Sequence, residues 1–157
     1  MEYHHAFAPH VIGGSWTSAN QYPWMVRLTG PGGFCGGSLI SNQHVLTAKH
    51  CVNNVPMEWA LVGIHDVNEV KDSQKLPILT AVWPDYSDHD MAIVILEEPV
   101  TLEDTIQPIC LPGSEDFLDY MGTDTKALGW GMTGVGSKQS DVLKQVPRLR
   151  IISSTLL

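Results

Sequence analysis

The stretch HVLTAKHC, residues 44–51, closes an apolar run with a histidine placed directly before a cysteine. An imidazole with an unperturbed pKa of about 6.5 can take up a proton near neutral pH, so His50 is a candidate general base. A histidine taken alone is more often a satisfied structural residue, here a core histidine beside a structural disulfide. A base also needs a nucleophile whose proton it removes. A cluster of residues with ligand chemistry, Glu2, His4, His5 and His10, stands at the N-terminus and reads as a solvated tail. The cysteines are Cys35, Cys51 and Cys110, an odd number that leaves at least one without a partner in its own chain.

The elements that must position such a base are short strands. The 157 residues are 43% apolar and carry a net charge of −8. The length suffices for a real core, and the charge speaks against nucleic acid and anionic membranes as partners. No segment has the roughly 20 apolar residues of a spanning helix, and MEYHHAFAPH at residues 1–10, without a basic start or a long apolar stretch, does not read as a secretory signal as it stands. Strands are expected near 24–29, 34–41, 44–48, 58–63, 76–83 and 91–96, separated by TGPGG, SNQ, VNNVP and WPDYSDHD. The run MAIVIL at 91–96 is apolar throughout and reads as a strand buried on both faces. Six close antiparallel strands without a helical layer fit an all-β barrel or sandwich. Residues 99–124, rich in Pro, Asp, Glu and Gly, read as a surface connector, with a shorter strand pair near 125–130 and 143–152.

Six fragments in order, VIGGSWTSANQYPWMVRL, CGGSLIS, HVLTAKHC, DHDMAIVIL, IQPICLP and ALGWG, resemble the chymotrypsin/trypsin-like serine proteases. The resemblance runs from Val11 to about residue 153 and implies a fold of two six-stranded antiparallel Greek-key barrels. It assigns a tail to 1–10, the first barrel to 11–98, an inter-barrel connector to 99–124 and the start of a second barrel to 125–157. It makes His50 the general base and Asp90 the carboxylate that fixes its tautomer. It pairs Cys35 with Cys51 and leaves Cys110 a free thiol, since the partner that many relatives have lies upstream and no cysteine stands there. It implies no cofactor, a polypeptide substrate and an extracellular location.

The same resemblance exposes departures. The nucleophilic serine of these proteases sits in a Gly-Asp-Ser-Gly-Gly stretch that the sequence does not contain. The serines after Asp90 are Ser114, Ser137, Ser140, Ser153 and Ser154, which by the resemblance lie on connectors; neither Ser114 in LPGSED nor Ser137 in VGSKQ has glycines on both sides to offer N–H groups to an oxyanion. Val11 and Ile12 match the N-terminus created by zymogen cleavage, yet His10 stands where an Arg or Lys is usual. By the resemblance Lys49 replaces the usual alanine before the histidine; pointing inward it would disfavour imidazolium formation and crowd the disulfide, and otherwise it snorkels at the surface. Ile64 occupies the place of a glutamate that ligates calcium in some relatives, so no metal is expected.

The expectation is a serine-type endopeptidase truncated before its nucleophile, oxyanion hole and specificity pocket, and inactive as these residues alone. The alternative is a non-catalytic binding protein that keeps the barrel as a recognition surface. A third reading has a separately supplied second barrel complete the site, across an apolar face left open for it.

Overall fold

The computed structural model describes residues 14–85, 89–113, 120, 122–134 and 136–151. Its strands are β1 (Ser15–Trp16), β2 (Met25–Gly30), β3 (Gly33–Leu39), β4 (His44–Thr47), β5 (Trp59–Val62), β6 (Lys75–Val82), β7 (Ala92–Leu96), β8 (Asp124–Gly129) and β9 (Lys144–Arg150). The helical pieces among the described residues are 3₁₀ turns of three residues each, at Lys49–Cys51, Val67–Glu69 and Asp72–Gln74. The chain divides into two compact units, Ser18–Pro112 and a second drawn from the segments on either side.

In the Ser18–Pro112 unit, six antiparallel strands close into a barrel in the order β2-β3-β4-β7-β6-β5. Alternation along each strand decides what turns inward. Val26 and Leu28 of β2, Val45 of β4, Ala60 and Val62 of β5, and Val94 and Leu96 of β7 fill the interior together with Leu39. Small residues let the walls approach. A Cβ on Gly37 of β3 would lie 2.6 Å from Val45 Cγ1, so a side chain there would push β4 away.

Two expectations meet a different arrangement here. The apolar run 91–96 is not buried on both faces: Ala92, Val94 and Leu96 are buried, Ile93 and Ile95 are half-buried, and Met91 is 51% exposed. The reason is the barrel itself, in which only one face of a strand looks into the core. Residues 99–112, placed with the connector by composition, group with the barrel. Val100 and Ile106 bury against its core, and Val100 N–H and Ile109 N–H donate to Asn42 O and Leu39 O.

The second unit contains an antiparallel sheet in the order β1-β9-β8. Trp130 and Leu143 are buried there, and Thr17 Oγ1 donates to Leu143 O at 2.9 Å.

Leu39 is fully buried in the barrel core. Leu39→Ala is expected to lower unfolding free energy by about 2–5 kcal/mol, read as a fall in the urea midpoint at constant slope. A loss of less than about 1 kcal/mol would mean that this core is not close-packed around Leu39.

Candidate active site

β4 and β7 are neighbours in the barrel, and their register pairs Thr47 with Ala92. Three residues beyond Thr47 the chain reaches His50; two residues before Ala92 stands Asp90. Antiparallel pairing therefore delivers both side chains to one end of the same ladder, though 40 positions separate them in the sequence.

His50 sits on the 3₁₀ turn Lys49–Cys51, which follows β4 through an extended Ala48. Cys51 N–H and Val52 N–H close the turn on Ala48 O and Lys49 O at 3.1 and 3.0 Å. A disulfide joins Cys51 to Cys35 on β3 across a separation of 16 residues. In the chain-entropy picture a loop of that size contributes about 3 kcal/mol. Thr47 adds a tether just upstream, its Oγ1 donating to Gly36 O at 2.8 Å. Strand pairing, hydroxyl and disulfide thus hold the turn on both sides of the imidazole.

Asp90 binds His50 twice. Its Oδ1 accepts the His50 main-chain N–H at 2.9 Å, and its Oδ2 lies 2.6 Å from Nδ1. An ionised carboxylate only accepts, so Nδ1 carries the proton and Nε2 keeps its lone pair. This tautomer can take a proton at Nε2 from a hydroxyl brought to it. The His50 main-chain N–H and then its ring N–H hold the Asp90 carboxyl below its ordinary range; burial opposes them, and the charge that His50 carries when protonated and the Lys49 N–H add lesser support. The pair is open to solvent, with side chains 52% and 59% exposed.

The ring has no serine partner among the described residues. Ser137 Oγ donates to Gly134 O and accepts from Gly134 N–H, and Ser140 Oγ donates to Val142 O, so both close local turns. Ser114, Ser153 and Ser154 lie outside the described residues, as do Val11 and Ile12. Cys110 is exposed and unbonded. The sulfurs of Cys35 and Cys51 come within 4.8 Å of a His50 ring nitrogen, a spacing a metal could use. Both are consumed by the disulfide, and Nδ1 is engaged by Asp90, so the group is not a set of free donors.

Sequence reading missed two contributors. The His50 main-chain N–H fixes the carboxylate as firmly as the ring does, and the Thr47 hydroxyl pins the strand end. The threonine stood inside the HVLTAKHC motif; the N–H leaves no trace in a sequence.

The trypsin family model matches residues 11–155. A serine protease, SSP1, of Scolopendra subspinipes is 36% identical over 152 residues, covering 86% of this chain and 52% of the relative. Melanization protease 1 of Drosophila melanogaster is 31% identical over 160 residues, covering 81% of this chain and 40% of the relative. A venom serine protease of Polistes dominula is 31% identical over 149 residues, covering 87% and 54%. The chain spans about half the length of these relatives, or less.

Two outcomes test the geometry. Because folding lowers the pKa of Asp90, its contribution to stability is present above the ordinary carboxylate value of about 4 and lost as pH falls through the lower folded value. The Nδ1–H resonance of His50 should persist below about pH 4 in the native chain and be missing at neutral pH in Asp90→Asn; its survival in the variant would show that another group holds the ring. Replacing Cys35 and Cys51 together by alanine should cost about 3 kcal/mol in urea unfolding, and an unchanged midpoint would deny the bond a structural role.

Proposed function

The chain belongs to the trypsin family, and from that premise we propose that it supplies the general base and the base's orienting carboxylate to a serine endopeptidase. The observation that carries the reading is the double grip of one carboxylate on the main chain and ring of a single histidine. That grip fixes a tautomer with a free basic nitrogen, the form that activates a serine hydroxyl. His50 takes the hydroxyl proton as the oxygen attacks a peptide carbonyl, then returns it to the leaving amine. Asp90 stays ionised and stabilises the imidazolium formed between the two steps.

The hydroxyl itself, the N–H groups that receive the oxyanion and the pocket that chooses the substrate come from residues outside this sequence. The 157 residues alone therefore form no acyl-enzyme. A substrate is a polypeptide, met in an extracellular setting where the Cys35–Cys51 bond persists. The alternative of a recognition module that merely reuses the barrel gives no reason for a carboxylate held against an imidazole, because binding needs no base.

A fluorophosphonate probe, which labels activated serines, tests this reading. The chain alone should remain unlabelled. A chimera that continues residues 1–157 with the second barrel of the Scolopendra protease should be labelled. His50→Ala in the chimera should slow labelling by about 10²–10⁴-fold, the usual contribution of a positioned base. Labelling of the chain alone, or a chimera indifferent to His50, would overturn the assignment.

A further inference from the structure

His50 and its neighbours hold a chemistry that proton transfer leaves unused. A ring nitrogen of His50 and the sulfurs of Cys35 and Cys51 all lie within 4.8 Å of one another. The backbone brings them together. β3, which carries Cys35, pairs with β4, and the 3₁₀ turn after β4 carries His50 and Cys51 side by side. The Thr47 hydroxyl ties the approach to that turn to Gly36 O, next to Cys35. Neither the strand pairing nor this hydrogen bond passes through sulfur, so both can hold the group together when the disulfide is open.

Opening the bond frees two soft donors. A trialkylphosphine gives two electrons to the disulfide and takes oxygen from water as the phosphine oxide, leaving two thiols; the newly made chain has the same two thiols before oxidation. A divalent cation then displaces one proton from each thiol. Two thiolates and an imidazole suit zinc and not the hard cations, which take oxygen. Zinc bonds of about 2.3 Å to sulfur and about 2.0–2.1 Å to nitrogen set ligand atoms about 3.5–3.8 Å apart in a tetrahedral shell, so the widest pair here has at most about 1.3 Å to close. Nδ1 holds the proton that meets Asp90, so Nε2 is the nitrogen with a lone pair to give. A carboxylate on the far nitrogen is also what orients a metal-binding imidazole and raises its basicity. The His50 side chain is 52% exposed, which leaves a fourth position to water.

We propose that Cys35, Cys51 and Nε2 of His50 form a zinc site in the reduced chain, with water as the fourth ligand. The lone pair given to the metal is the one that would accept a proton, so the occupied site silences the base. The binding stands on the geometry of these three residues; the silencing rests on the role proposed for His50.

The test titrates Co²⁺, a spectroscopic stand-in for zinc, into the full chain carrying Cys110→Ser, with and without a trialkylphosphine. A thiolate-to-cobalt charge-transfer band should saturate at a single equivalent in the reduced chain and be missing from the oxidised one. The histidines of residues 1–10 cannot produce it, since no cysteine stands among those residues. Cys35→Ser should leave about half of the band, one thiolate of the two. His50→Gln should weaken zinc affinity by about tenfold or more, and Asp90→Asn by about 10–100-fold, the usual effect of removing an imidazole's orienting carboxylate. In ¹⁵N spectra of the reduced chain, zinc should move Nε2 of His50 to the position of a metal-bound nitrogen while the Nδ1–H signal persists. Zinc should also raise the urea midpoint of the reduced chain, because a ligand of the native form stabilises it; thiols of an unfolded chain would take the metal without that rise. Affinity indifferent to His50, an unmoved Nε2, an unchanged urea midpoint or the same band with and without the phosphine would each overturn the proposal. None of these readouts needs proteolytic activity, so they fail or succeed separately from the endopeptidase reading.

Discussion

The pairing of β4 with β7 is the constraint on which the rest depends. With Thr47 opposite Ala92, Asp90 can reach the turn of His50. A slip of one residue would reverse the faces of β7, sending Ala92, Val94 and Leu96 outward and Ile93 and Ile95 into the core. The cost of unpacking that core therefore protects the geometry of the two polar side chains. Hydrophobic alternation sets the register, and the register sets the chemistry.

What the register brings near, shorter-range contacts align. The Thr47 hydroxyl, the disulfide and the His50 main-chain N–H each remove freedom from the turn before the imidazole meets its carboxylate. An ion pair as exposed as this one adds little to stability by itself. Its worth lies in holding one tautomer and one orientation, and most of the ordering entropy has been met by the fold around it.

Much of this was legible in the sequence. Short apolar runs between turn signals located the six barrel strands to within a residue or two, because Gly, Pro, Asn and Asp mark where each strand must stop. The resemblance named His50 and Asp90 as residues to bring together. The run at 91–96 misled, since five consecutive aliphatic residues say nothing about which face a curved sheet leaves outside. Residues 99–112 misled for the opposite reason: their polar composition hid Val100 and Ile106, two apolar anchors that tie the segment to the barrel. The main-chain N–H that His50 gives to Asp90 is a property of backbone placement, which residue identity does not encode.

The bridge between β3 and the histidine's turn places a demand on biosynthesis. The three thiols within these residues permit three pairings, and Cys110, exposed on the segment after the barrel strands, can enter a wrong one. What favours the native bond is locality: β3 and β4 are consecutive strands and pair with each other, so Cys35 and Cys51 meet as soon as that hairpin forms. A nascent chain oxidised before the hairpin closes would trap a mispaired barrel whose imidazole hangs from an untethered loop, and shuffling by an isomerase would then be the route back.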